Sequence, residues 1–130
     1  MDEIIMSEES LGKIEISPEV IQVIAGYAVK DIEGVFGLGH TGVIDDISNW
    51  LGRNNFRKGV RVELGEKVDI EVSLIINYGV SLPEVGHKVQ EKVKSSVEMM
   101  TGLEVGFVRV CIEDVKFAHG DKEDKAPDGK

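Results

Sequence analysis

Polar and apolar residues alternate with the two-residue period of a half-buried β-strand in four segments of this chain. These segments are residues 13–16, 60–64, 68–76 and 105–117. The linker Gly65-Glu66-Lys67 is of hairpin length and contains a glycine, so we predict that the second and third segments pair as a hairpin. In the last segment the apolar phase slips between Ile112 and Val115, which predicts a β-bulge. A short apolar stretch, residues 35–38, predicts an edge strand.

Apolar residues at helical spacing predict a first helix that starts at Ser17-Pro18 and ends at Gly34. Serine can cap a helix, proline suits its first turn, and glycine suits the position just past its end. The predicted apolar face is Val20, Ile21, Ile24, Ala25, Tyr27, Ala28 and Ile32. A shorter helix is predicted over residues 41–51, with Val43, Ile44, Ile47, Trp50 and Leu51 on its apolar side.

The longest predicted helix spans residues 81–101. Ser81 and Glu84 have the spacing of a capping box at its start, and Gly102 follows its end. Its predicted apolar stripe is Leu82, Val85, Val89, Val93, Val97 and Met100. These features predict that the stripe packs against the sheet.

The order of these elements is close to a split β-α-β-β-α-β pattern with an insertion. We therefore predict an α+β fold of two layers, with two main helices on one face of a mainly antiparallel four-stranded sheet and an inserted short helix. The other face is predicted to show Lys13, Glu15, Arg61, Glu63, Asp69, Glu71, Arg109 and Glu113. A mixed-charge face of this kind is either plain solvent surface or a docking surface.

The chain has 130 residues, 42% of them hydrophobic, which is enough to close one core. Residues 1–11 and 118–130 are acidic or poor in apolar residues and are predicted to be disordered, which leaves one domain, residues 12–117. The formal charge of −9 disfavours a nucleic-acid surface. The chain has no apolar run long enough for direct membrane insertion. One free cysteine and a start without a secretory signal predict a cytoplasmic location.

A series of short segments, in order along residues 12–117, is similar to the alkaline shock protein family of Gram-positive bacteria. The segments are Gly12-Lys13-Ile14-Glu15-Ile16-Ser17-Pro18-Glu19-Val20-Ile21, Ala25-Gly26, Gly34-Val35, Lys58-Gly59-Val60-Arg61-Val62, Asn77-Tyr78-Gly79, Val89-Gln90, Thr101-Gly102-Leu103 and Val108-Arg109-Val110. Most of these residues are apolar or glycine, so the resemblance marks a fold rather than a site.

The resemblance implies a non-catalytic cytoplasmic protein of the envelope or alkaline stress response, with no cofactor. It implies action through protein partners, either a membrane anchor protein that recruits the chain or the chain itself. A branch of the family is associated with acetyl-CoA carboxylase and fatty-acid synthesis, so a regulator of that step is the alternative. The resemblance supplies no catalytic residues.

A second alternative is a nucleotide-binding enzyme, because Gly37-Leu38-Gly39-His40-Thr41-Gly42 fits G-x-G-x-x-G and precedes the short helix. Three observations oppose this hypothesis. The preceding strand is very short, and the predicted helix that follows is short as well. Asp45 and Asp46 lie in the first turn of that helix, where they would repel a phosphate. A flexible glycine loop accounts for the same residues.

This acidic chain contains one cluster of basic and aromatic residues, in which Arg53, Arg57 and Lys58 surround Phe56. This cluster is a candidate interaction patch for an anionic headgroup, RNA or an acidic partner, and solvated surface is the alternative.

His40, His87, His119 and Cys111 do not have the spacing of metal ligands, and no nucleophile motif frames a serine. The sequence therefore predicts no catalytic, cofactor-binding or metal-binding residue, and the protein is predicted not to be an enzyme.

Overall fold

The computed structural model describes residues 4–5, 11–39 and 59–117. Within these ranges the strands are β1 (Ile4–Ile5), β2 (Glu15–Ile16), β3 (Val35–Leu38), β4 (Val60–Leu64), β5 (Val68–Asn77) and β6 (Val105–Lys116). The helices in the same ranges are α1 (Pro18–Val29) and α2 (Leu82–Thr101). The predicted short helix of residues 41–51 and the predicted tail of residues 118–130 lie outside the described residues.

Strand β5 is the centre of a four-stranded sheet. Strand β6 pairs with one edge of β5 in parallel, along its full length. The other edge is shared by β4, antiparallel against residues 68–72, and β3, antiparallel against residues 74–76. Parallel neighbours need a long crossover, which α2 supplies between β5 and β6. The predicted α+β fold, its mainly antiparallel four-stranded sheet and the β4–β5 hairpin are confirmed.

The predicted strand of residues 13–16 does not join this sheet, so that part of the predicted strand order was wrong. Its last two residues form β2, which pairs with β1 in a separate two-stranded sheet. The predicted edge strand β3 is the fourth member of the main sheet instead. The physical reason is that both edges of β5 are occupied, by β6 on one side and by β4 and β3 on the other. Residues 4–5 belong to the N-terminal segment that the sequence predicts to be disordered. In the structure they form β1, whose backbone pairs with β2.

Both helices cover the same face of the sheet and close one core. Along β5 every second residue, from Val68 to Ile76, is buried and faces the helices. Helix α1 contributes Ile21 and helix α2 contributes Val89, each with 0% of its surface exposed. Burial of such a side chain stabilises the fold by about 1.5–3 kcal/mol relative to leaving it in water.

The buried row of α2 differs from the predicted stripe at both ends. It repeats at every fourth position and consists of Val85, Val89, Val93, Val97 and Thr101. Two residues of the predicted stripe are exposed to solvent: Met100 is 69% exposed, and Leu82 is 39% exposed. A row of residues spaced by four is inclined to the helix axis. This inclination turns position 101 toward the core and position 100 toward solvent.

The ends of α2 are those predicted. The Ser81 Oγ accepts the backbone N–H of Glu84 at 3.4 Å, and Gly102 follows the helix with φ of 78°. Helix α1 starts after Ser17 as predicted but ends at Val29, short of Gly34.

Strand β6 carries the predicted bulge. The register with β5 shifts between Ile112 and Asp114, so Glu113 is the extra residue. A second shift, for which the sequence shows no phase slip, lies between Val105 and Val108. Each bulge re-aims the side chains that follow it.

Glu98 joins the end of α2 to the start of β6. Its Oε2 accepts the backbone N–H of Val105 at 2.9 Å and the Lys94 ammonium at 3.2 Å. The Val105 hydrogen bond, followed by Lys94, lowers the pKa of this carboxyl below its ordinary value of 4.5.

We expect Glu98 to contribute to the acid sensitivity of the fold. Because its pKa is lower in the folded chain, its contribution is present above pH 4.5 and is lost as the pH falls through the folded pKa. Replacing Glu98 by Gln keeps a hydrogen-bond acceptor but removes this titration. Urea unfolding at a series of pH values below 5 should therefore show a shallower loss of stability in Glu98→Gln than in the parent. Identical pH slopes in the two proteins would contradict this assignment.

Candidate interaction surfaces

The glycine-rich segment begins inside the sheet rather than in a phosphate-binding loop. Gly37 lies within β3, which is antiparallel to β5, and the Gly39 N–H donates to the Ser73 carbonyl at 2.8 Å. A Cβ placed on Gly39 would come within 2.9 Å of the Glu113 Oε1, so a carboxylate adjoins the space beside this glycine. Dinucleotide folds place their first glycine after a parallel strand, with the phosphate on a helix N-terminus. Positions 37–39 therefore give the nucleotide hypothesis no support, and positions 40–42 lie outside the described residues.

The basic cluster of Arg53, Phe56, Arg57 and Lys58 also lies outside the described residues. The structure does place the two ends of the segment that contains it. Gly39 donates its N–H to the Ser73 carbonyl, and the Gly59 carbonyl accepts the Ser73 N–H, both at 2.8 Å. The segment thus departs from and returns to one position on the edge of β5.

The candidate chemical groups in the described residues do not form a reactive centre. His87 is exposed and its Nε2 lies 3.4 Å from the Glu91 Oε2. The Cys111 Sγ lies 3.5 Å from the Glu71 Oε2, and desolvation, followed by this carboxylate, raises the pKa of the thiol. A raised pKa makes a thiol less nucleophilic at neutral pH. Across residues 4–5, 11–39 and 59–117, no three metal-binding side chains come together.

The open face of the sheet carries the predicted mixed-charge lattice. Arg61 on β4 and Arg109 on β6 lie on either side of Glu71 on β5, with 4.0 Å between Arg61 Nη1 and Glu71 Oε1. The Asp69 carboxylate accepts the backbone N–H of Phe107, whose ring is 57% exposed. These residues line a polar hollow of ≈ 340 Å³. Opposite charges are already matched within this face, so it is well solvated without a partner.

Two members of the predicted lattice lie elsewhere. Glu15 belongs to β2, and the Lys13 ammonium lies 4.0 Å from the Glu15 Oε2. Because β2 is outside the four-stranded sheet, these two residues do not extend its open face.

A groove runs between α1 and α2 on the outer side of the helical layer. Its volume is ≈ 390 Å³, and its lining residues are Val23, Ile24, Tyr27, Ala28, Asp31, Lys92, Ser96 and Met100. Tyr27 is 55% exposed and Met100 is 69% exposed. We call this feature the helix groove. The helix groove is more apolar than the hollow on the open face of the sheet, because its buried lining residues, Ile24 and Ala28, are aliphatic and its charged residues, Asp31 and Lys92, are exposed.

The helix groove continues into a second, more charged hollow. That hollow is lined by Ile32, Glu33, Lys88, Glu91, Lys92 and Ser95, so Lys92 belongs to both. The two hollows share Lys92 and follow one another along α2, from Met100 to Lys88, and the opposite side passes from α1 into the turn after it, so we describe them together as one channel.

The helix groove is not evident from the sequence, because Tyr27 and Met100 both fall on predicted apolar faces of their helices. The available signal was the width of the predicted faces. The seven apolar positions of the first helix form a face wider than a narrow stripe, and the edge of a wide face is where an exposed residue such as Tyr27 can lie.

A model of the alkaline shock protein 23 family, described by its cell envelope-related function, matches residues 6–117. The chain belongs to the alkaline shock protein 23 family. The matched range includes both helices and the whole four-stranded sheet, so both surfaces described above lie on the family domain.

Relatives of this family member include proteins of similar length. It is 38% identical to YqhY of Bacillus subtilis (strain 168), over 82% of this chain and 79% of YqhY. It is also 38% identical to YloU of the same organism, over 83% of this chain and 92% of YloU. A Streptococcus pyogenes protein named stress response regulator gls24 homolog is 28% identical, over 81% of this chain and 59% of that protein.

Solved structures of MamM CTD variants superpose on this family member with a TM-score of 0.45 and 15% identity, over 74% of this chain and 95% of theirs. A similarity of this size adds no functional argument. Among the described residues, neither helix is long and apolar enough to cross a membrane.

Proposed function

We propose that this chain is a non-catalytic cytoplasmic protein of the cell envelope stress response that acts by binding other proteins. The observation that carries the proposal is the exposed apolar helix groove on a domain whose family has a cell envelope-related function. A relative named as a stress response regulator supports the stress-related part.

The distribution of titratable groups favours binding over catalysis. Acid–base or nucleophilic catalysis needs perturbed groups that converge on one pocket. The two shifted groups among the described residues are far from such an arrangement. Glu98 lies on α2 and serves a helix-to-strand junction, whereas Cys111 lies on the open face of the sheet, on the other side of the molecule.

Recruitment to the membrane by a separate anchor protein is part of the proposal. An exposed apolar groove with charged rims suits a protein partner better than a lipid surface, because membrane-surface helices present basic residues around their apolar face. The rim of the helix groove carries Asp31 as well as Lys92.

The test is affinity purification of the tagged full-length chain, with cell fractionation, before and after an alkaline shift. We expect envelope proteins to co-purify with the chain and its share in the membrane fraction to rise after the shift. Val93→Asp, which places a charge in the core, is the control for partners that bind unfolded chain.

Recovery of no envelope protein, or a turnover activity of the purified chain, would contradict the proposal. Recovery of acetyl-CoA carboxylase subunits in place of envelope proteins would favour the regulator of fatty-acid synthesis instead.

A further inference from the structure

We infer that the helix groove and the hollow that continues it bind one amphipathic helix of a protein partner. The acidic side of that partner helix lies against α2. This inference rests on the proposed function and names the surface and the chemistry of the partner. Three properties of the groove lead to it: the hydrogen bonding of its walls, its length and the charges on its two sides.

The walls of the groove determine the secondary structure of the occupant. Along the helix groove both walls are helices, whose backbone N–H and C=O groups already bond within α1 and α2. In the continuing hollow one wall is the turn after α1, where the Ile32 N–H donates to the Val29 carbonyl and the Ile32 carbonyl accepts the Val35 N–H. An extended segment in the groove would find no backbone partners on either side, and unpaired backbone groups are costly to bury. An α-helix satisfies its own backbone, so it is the element that the groove accepts.

The length of the groove matches a short helix. Along α2 it runs from Lys88 to Met100, which corresponds to about 18 Å of helix or roughly three turns. Tyr27 and Met100 flank its apolar end. Tyrosine supplies a large contact area with a polar tip, and methionine adapts its shape to the side chain that it meets.

The charges on the α2 side select an acidic partner. Lys88 and Lys92 are four residues apart, on one face of the helix. Within the described part of the chain, neither ammonium has a carboxylate oxygen within 4.0 Å. Two acidic side chains with the same spacing on a docked helix would meet both lysines.

The acidic groups that face the groove are placed differently. The Asp31 Oδ1 lies 3.5 Å from the Lys30 ammonium, and the Glu91 Oε2 lies 3.4 Å from the His87 Nε2. Glu33 lines the continuing hollow on the side of α1. The α2 side of the channel carries Lys88 and Lys92 with one carboxylate, Glu91, whereas the opposite side, just past the end of α1, carries the carboxylates Asp31 and Glu33. This difference orients the docked helix, whose basic or neutral flank would face α1.

Photo-crosslinking in cells tests the inference. The photoreactive residue p-benzoylphenylalanine would replace Tyr27 or Met100 in the groove and, as a control, Arg109 on the open sheet face. We expect positions 27 and 100 to cross-link to one segment, which mass spectrometry identifies as an amphipathic helix with acidic residues four apart.

Charge reversal provides the second arm. Lys88→Glu/Lys92→Glu should lower the cross-linking yield at positions 27 and 100 by about tenfold, because two ion pairs become repulsions. Lys13→Glu/Lys67→Glu makes the same change in net charge away from the groove and should leave the yield unchanged.

Several outcomes would overturn the inference. They are a cross-linked segment without the acidic flank, a cross-link to lipid or to a second copy of this chain, and an equal yield in the two charge variants. Cross-linking of envelope proteins from position 109 alone would remove the groove as the binding site while the proposed function stands. Absence of envelope proteins from all three positions would remove both.

Discussion

Replacing Gly34 by alanine is expected to destabilise the fold by about 2–5 kcal/mol, the sum of two costs. Gly34 has φ of 100°, which costs an L-residue about 1–2 kcal/mol. Its added Cβ would also lie 2.8 Å from the Val85 Cγ2, inside the contact between α2 and the turn before β3. Overlap of this kind in a packed core costs about 1–3 kcal/mol. Urea unfolding followed by circular dichroism measures the total.

Gly79 supplies a matched control for the backbone cost. Its φ is 101°, but a Cβ placed there would meet no atom within 4 Å. Gly79→Ala should therefore show the backbone cost alone. Val85→Ala should destabilise less in the Gly34→Ala background than in the parent, because it removes the overlapping methyl. Equal losses for Gly34→Ala and Gly79→Ala would show that the overlap relaxes without cost.

Replacing Thr101 by valine is expected to destabilise the fold by about 1–3 kcal/mol although the two side chains have the same shape. Thr101 is 3% exposed, and its hydroxyl donates to the Val97 carbonyl at 2.6 Å. The same oxygen accepts the Leu103 N–H at 3.1 Å. Valine leaves that partly buried N–H without its acceptor, and a donor left unsatisfied away from water costs about this amount. Chemical denaturation would measure the change.

Hydrogen exchange separates this cause from a packing change. The Leu103 amide should exchange faster in Thr101→Val, whereas Thr101→Ser keeps the acceptor and should keep the slow exchange. A valine variant as stable as the parent, with slow exchange at Leu103, would show that the hydroxyl does not hold the end of α2.

The parts of the fold that were predictable depend on local chemistry. The hairpin, both ends of α2 and the bulge at Glu113 follow from short-range signals: a glycine linker, a capping pair, a terminal glycine and a phase slip. Strand partnership depends on distant residues. The alternation in residues 13–16 indicates a strand but contains nothing that excludes it from β5.

The two candidate surfaces also differ in whether local sequence determines them. The charged face of the sheet was predictable because a strand assigns alternate residues to opposite faces. The helix groove was not predictable, because the packing of the two helices against each other decides which residues of a wide apolar face stay exposed to solvent. Tyr27 and Met100 look like core residues in the sequence and are exposed in the fold.

The chain leaves the edge of β5 at Gly39 and returns to it at Gly59, and this arrangement offers a site for inserting sequence. Gly39 and Gly59 both bond to Ser73, and a Cβ on Gly59 would lie 3.3 Å from the Gly39 nitrogen. Two ends held this close form a closed stem, and the entropy of closing a loop grows only with the logarithm of its length. Residues added just after Gly39 or just before Gly59 would start from this fixed stem, and their closure entropy would grow only slowly with their number, so the stem is a natural place to graft a reporter.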